Sequence, residues 1–283
     1  MSGLTEKLYR ALSALPQAEV SAQGAWLVHE IWSRTPPVPP GKLSRRGAVS
    51  EGRLVARDPL TGALPVETAA FNNAFRFAEA HCPSESPGDA AADLACLAPA
   101  AFAATALAEA RGVECRSLFH AVGLGAEAYV RLTGSLESGT KSRGFDARVI
   151  SGALAAIVAC AAIEKLPADK AAQALGLGSS ALTGSAIGYL PLQLATAARD
   201  GIVMVLLMTC GFRGPPDPLA CRWGVYDVFA DAQDIGSLDV DSPGARPAGG
   251  LQSRLGSTAA RADTLSGPLA SVPVRTFLEE LAS

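Results

Sequence analysis

Few residues in this chain of 283 have the chemistry of a catalyst, so their positions carry weight. Asp146 stands between Gly144-Phe145 and an apolar run that begins at Ala147. A carboxylate at the edge of an apolar helical segment can serve as general acid or base. Asp is also a strong helix N-cap, and one residue can fill both roles. His81 closes a helical stripe and is followed by Cys82. Neighbours on a helix do not face each other, so these two are not expected to form a nucleophilic Cys–His pair. Lys141 and Arg143 precede Gly144-Phe145 and offer cations to a substrate carboxylate, or are solvated loop charges. Gln193 and Tyr189 are candidates for hydrogen bonds to a substrate, or for satisfying helix ends.

Other chemistries find no support. The three histidines sit at unrelated positions, so no metal site and no cofactor are expected. The stretch from Gly134 to Ser142 is one residue away from a phosphate loop, with Thr140 between Gly139 and Lys141, and has no strand before it. Gly123 and Gly125 lie in a helical run, where they suit close packing.

These candidates must be positioned by helices. Leu4, Leu8, Leu12 and Leu15 recur at helix spacing before Pro16, and a second helix is expected over about 19–32. Residues 41–65 and 82–88 are Gly-, Pro- and polar-rich and read as loops. Ala-rich helices are expected over about 89–110, 116–133, 147–165, 168–187 and 193–211, with Gly or Pro at each break. No alternating strand pattern appears among them. The expected fold is therefore all-α, a compact multi-helix bundle.

Composition agrees with that reading. Hydrophobic residues make up 49% of the chain and charged ones only 18%, with 6% aromatic, so the core must be built from small aliphatic side chains. A net charge of −3 argues against a nucleic-acid partner. The best apolar runs, 152–163 and 202–212, fall short of the ~18–20 residues of a spanning helix, so no membrane partner is expected. Six scattered cysteines without a C-x-x-C pair, and no visible signal peptide, suggest a cytoplasmic chain.

The order of short motifs from Ala69 to Trp223 resembles the MmgE/PrpD family, which includes 2-methylcitrate dehydratase and cis-aconitate decarboxylase. The pieces are Ala70-Phe71-Asn72-Asn73-Ala74, the run 106–112 ending in Ala110-Arg111-Gly112, and the run 121–132 through Tyr129. Gly144-Phe145, Ala174-Leu175-Gly176-Leu177, Ala197-Ala198-Arg199-Asp200-Gly201 and Cys210-Gly211-Phe212-Arg213-Gly214-Pro215 follow in order. The resemblance implies a helical domain over 1–231, homodimerisation through it, and metal-free acid–base chemistry on small carboxylates. It also implies an α/β lid, for which no counterpart is expected in this chain. Residues 232–272 read as a Gly/Ser/Pro-rich linker, and 273–283 as a helix docking back on the bundle.

The family's catalytic pattern is eroded. Its Gly-Phe-His reads Gly144-Phe145-Asp146, and its Lys-x-x-His reads Leu190-Pro191-Leu192-Gln193. His81 falls where the family keeps an acid, and a later His position falls near Ala95. The expectation is a diverged, cofactor-free lyase, isomerase or cyclase in a specialised biosynthetic pathway, with Asp146 and His81 as catalytic candidates. Its substrate-binding candidates are Gln193, Lys141, Arg143 and Tyr189. A non-catalytic dimerisation partner and a 2-methylcitrate dehydratase-like activity are the alternatives.

Overall fold

The computed structural model describes residues 3–36, 64–82, 89–182, 184–230, 235–236, 238, 240 and 271–282. The expected loops over 41–65 and 82–88 and the linker over 232–272 lie almost wholly outside the described residues. Among those described there are helices and no strands, with two isolated bridges. In chain order they are α1 (Leu4–Ser13), α2 (Gln17–Arg34), α3 (Val66–His81), α4 (Asp89–Arg111) and α5 (Cys115–Ser142). Then come α6 (Ala147–Ile163), α7 (Ala168–Ser179), α8 (Leu190–Thr209), α9 (Val225–Phe229) and α10 (Val274–Ala282). The fold is the all-α bundle the sequence predicts.

Two boundaries differ from expectation, each for a local reason. Gly134 was expected to break a helix, yet α5 runs through it to Ser142. One helical glycine costs only about 1 kcal/mol. Leu132, Ser135, Leu136 and Thr140 are buried around it and hold the helix together. Conversely, α7 stops at Ser179 rather than near 187. Gly184 takes φ 110, and the Gln193 side chain captures the backbone of Gly184 and Ser185, so the chain there is a fixed loop.

The core is close-packed because its side chains are small. α5 lies against α6 and α2, α6 against α4 and α8, and α3 against α8 and α4. At the α2–α5 crossing two glycines meet the facing backbone. A Cβ on Gly24 would lie 1.7 Å from the Phe119 oxygen, and one on Gly123 2.0 Å from the Val20 oxygen. Such contacts place axes toward the short end of the ~8–10 Å range. Larger side chains form one aromatic line, Trp32 against Phe102 (5.1 Å), Phe102 against Phe77 (5.9 Å) and Phe77 against His81 (4.4 Å).

Distant segments are stapled to this bundle by polar contacts. Asp217 accepts from the N–H groups of Leu4 and Thr5 (3.0 Å each) and from the Thr5 hydroxyl (2.8 Å), capping α1 from across the chain. α10 is anchored where Cys115 N–H donates to Val272 O (2.9 Å) and where Phe277 meets Phe119 edge-on at 5.7 Å.

Two helices exceed the length expected of apolar segments. Ala91–Arg111 in α4 and Leu190–Thr209 in α8 are long and apolar enough, by length and composition, to cross a membrane. Asp93 and Glu109 in α4 and Arg199-Asp200 in α8 interrupt their apolar residues, which shortens the unbroken runs. The α4 stretch is 94% buried inside the bundle, which marks it as a core helix.

Candidate functional site

The site is built around the turn from α5 into α6. Gly144 reverses the chain at φ 78, a left-handed conformation that favours glycine. Asp146 then caps α6, its Oδ1 accepting from the Arg148 backbone N–H at 2.9 Å. The same carboxylate accepts from Arg148 Nε (3.1 Å) and Nη2 (2.9 Å), a two-pronged charge pair. Both side chains keep just under a third of their surface exposed, 28% for Asp146 and 29% for Arg148, so a solute can reach them.

A loop from 184 to 189 braces this turn. Asp146 N–H donates to Gly184 O (2.8 Å), and Ala186 N–H donates to Gly144 O (2.9 Å). The Gln193 amide holds the loop from behind, accepting from Gly184 N–H (2.7 Å) and donating to Ser185 O (3.1 Å). Tyr189 sits at the loop's end with its ring near Phe75, and its hydroxyl bonds the Glu79 carboxylate on α3. The loop tip, Ile187, is 98% exposed.

Beneath the charge pair lies a group of buried titratable side chains. Cys82 and Cys96 both lie within electrostatic reach of Arg148. Tyr129 donates its hydroxyl to Asp93, and both are buried. Burial pushes the Cys82 thiol from 9.0 up to about 11, with Arg148 pulling the other way. Burial also raises Cys96 well above the ordinary thiol range, and Asp146 adds to the shift. Arg148 is held firmly charged, chiefly by its hydrogen bond to Asp146. At neutral pH the cluster therefore holds a firmly charged guanidinium beside neutral thiols. A thiolate nucleophile is not part of its chemistry.

A testable pH dependence follows. A thiol whose folded pKa is raised binds its proton more tightly in the folded state, so it favours folding below its unfolded pKa. That contribution is lost as pH rises from 9.0 toward about 11 for Cys82. Tyr9, pushed by burial from 10.0 to about 12, adds to it at higher pH. The melting temperature is expected to fall between pH 9 and 11, and Cys82→Ser is expected to flatten part of that fall. A flat profile would contradict the burial.

The turn thus joins Asp146, Gln193 and Tyr189 in one braced unit. His81 stands at the end of α3 with Nδ1 against Phe77 O (2.8 Å) and its ring on Phe77, next to Cys82. Arg143 is directed elsewhere: its Nη1 donates to the carbonyls of Asp227 (3.0 Å) and Val228 (3.1 Å) on α9. Lys141 is exposed on the last turn of α5. Gln193 has its amide engaged by the loop, so it positions backbone.

Arg148, Asp93 and Tyr129 were not singled out from the sequence. A signal existed for Asp93, the one charged residue between Ala90 and Ala108 in a helix apolar all round. Such a residue must be partnered within the core. For Arg148 the signal was its place two residues after a helix-capping Asp.

The sequence matches the family described as the MmgE/PrpD N-terminal domain over residues 61–237, more than half of the chain. That span runs from before α3 to beyond α9 and contains the whole braced turn. No curated protein matches the chain.

Proposed function

The chain belongs to the MmgE/PrpD family, and from that premise we propose that it is a diverged enzyme of cofactor-independent acid–base chemistry. The reaction is of lyase, isomerase or cyclase type on a small-molecule substrate, within a specialised biosynthetic pathway. The observation that carries this reading is the Asp146–Arg148 pair, fixed by α6 and the braced loop and still open to a solute. The Arg148 guanidinium, held beside Asp146, is the kind of rigid planar cation that suits an acidic substrate group or an oxygen that gains charge. Asp146 beside it takes or returns the proton, and His81 is the second acid–base group at the neighbouring helix end.

Departures at Asp146 and across 190–193 remove the Lys and His with which the family handles polycarboxylates. The substrate is therefore less charged than the family's own. Incubating the protein with 2-methylcitrate and with cis-aconitate is expected to give neither dehydration nor decarboxylation product. Product from either would overturn the proposed divergence and support the 2-methylcitrate dehydratase-like reading. Six free cysteines support a reducing, cytoplasmic location.

A second reading, partnership with another copy of the chain, is favoured by α8. Leu192 on this helix is exposed, Val203, Leu206 and Leu207 are half-buried, and Phe212 just beyond is 59% exposed. Arg199 and Asp200 halfway along make lipid a poor match for this face. A homodimer through α8 fits better and is compatible with catalysis. Light scattering on the eluting protein is expected to give a dimer mass that Leu207→Glu reduces to one chain. A monomeric wild type would contradict the homodimer.

A further inference from the structure

Away from the charge pair, the segment between the Gly214-Pro215-Pro216 turn and α9 carries features the acid–base reading does not use. A cavity of about 200 Å³ opens there. Leu219, Tyr226 and Ile235 form its apolar lining, and Cys221, Arg222 and Asp227 its polar lining. Beside it Trp223 adopts φ 64. That left-handed conformation is a genuine outlier for a bulky side chain. It is held by the Trp223 N–H donating to Asp227 Oδ2 at 2.9 Å and by Gly224 N–H donating to Cys221 O at 2.7 Å. The strained residue gains little burial in return, since Trp223 is 73% exposed. The Arg222 guanidinium lies 5.1 Å from the centre of its ring.

The frame behind the cavity is rigid. Asp217 is tied to the start of α1, Val225 N–H donates to Pro218 O at 2.8 Å, and Tyr226 bonds Ser135 on α5. Arg143 clamps the carbonyls of Asp227 and Val228 from the end of α5. A fold that keeps a strained, exposed indole on so fixed a frame gains nothing in stability from it. Glycine at this position would be relaxed, and the glycine lies one residue later. Strain of this kind is retained where it places a side chain for a ligand.

We propose that this cavity binds a small aromatic carboxylate, with its ring against Leu219 and Tyr226 and its acid group on Arg222, whose guanidinium the Trp223 indole holds at the cavity's edge. Size fits the class: an apolar cavity of about 150 Å³ holds benzene, so this one takes a ring with one acidic substituent. Charge fits as well. Arg222 lines the cavity, and a guanidinium pairs with a carboxylate in two-pronged fashion along its in-plane donor edge.

Trp26 and Trp32 are buried, so Trp223 is the tryptophan whose fluorescence a bound quencher reports. Titration of the intact protein with 4-nitrobenzoate is expected to give saturable quenching. Arg222→Gln and replacement of the probe by neutral 4-nitrobenzyl alcohol should each weaken binding by about tenfold or more, the loss of a paired charge. By calorimetry Trp223→Gly should lose 4-nitrobenzoate binding while melting at or above the wild-type temperature. Asp146→Asn should bind it unchanged, which separates this site from the acid–base pair. Linear quenching without saturation would overturn the proposal. So would equal affinity for the neutral probe, or affinity kept in Arg222→Gln or Trp223→Gly.

Discussion

Asp146→Asn is expected to lower turnover by about 10²- to 10⁴-fold, the range a positioned general acid or base contributes. Its effect on stability is expected to be small. Asn caps a helix as well as Asp does, so the bond from the Arg148 N–H survives the change. What disappears is the negative charge facing the guanidinium and the capacity to take a proton. The loss should fall on kcat more than on KM, because Arg148 stays in place to hold the substrate. Arg148→Gln is expected to do the reverse and raise KM most. An Asp146→Asn protein with wild-type kcat would place the acid–base group elsewhere, His81 being the next to test. A large drop in melting temperature would instead make the Asp146–Arg148 pair a structural one.

Gly123→Val is expected to have the largest effect on the fold. Its new Cβ would lie 2.0 Å from the Val20 carbonyl oxygen, backbone that no rotamer can move aside. Val20 is itself buried, and Gly24 meets the Phe119 carbonyl in the same crossing, so α2 cannot slide away without leaving the core. Overpacking against side chains costs about 1–3 kcal/mol. Against fixed backbone the cost should exceed about 3 kcal/mol, a large fraction of the ~5–15 kcal/mol that holds an ordinary domain together. Urea unfolding should show a lower midpoint or no folded baseline. Gly134→Ala tests the contrast. Nothing lies within 4 Å of a Cβ built there, so the change should be neutral or mildly stabilising. A Gly123→Val protein with wild-type stability would mean that α2 and α5 do not cross as closely as described.

These glycines show what a sequence makes legible and what it does not. Gly123 reads as part of a helical run and Gly134 as a break, yet both are helical; they differ in what faces them. The all-α class was readable because small apolar residues recur at helix spacing and nothing alternates at strand spacing. The boundary between α7 and α8 was not readable, because it depends on a long-range capture, the Gln193 side chain taking the backbone of Gly184 and Ser185. The candidate site divides similarly. Asp146 stands out locally, after a glycine turn and before an apolar run. Arg148 acquires meaning only once the cap geometry turns its guanidinium back onto Asp146. Arg143 illustrates the opposite case. It adjoins the same turn in sequence, yet its partners are 84 and 85 residues away on α9.

Proton-transfer chemistry without a cofactor, through Asp146, is what we propose for this MmgE/PrpD domain. Its most direct measurement is untargeted mass spectrometry of a small-molecule cell extract incubated with the wild-type protein or with Asp146→Asn, each with and without chelator. Wild type is expected to consume at least one compound and to form a product differing by nothing, one water or one carbon dioxide, unaffected by chelator and absent with Asp146→Asn. Identical profiles for wild type and Asp146→Asn would contradict it, and would leave the domain a binding partner.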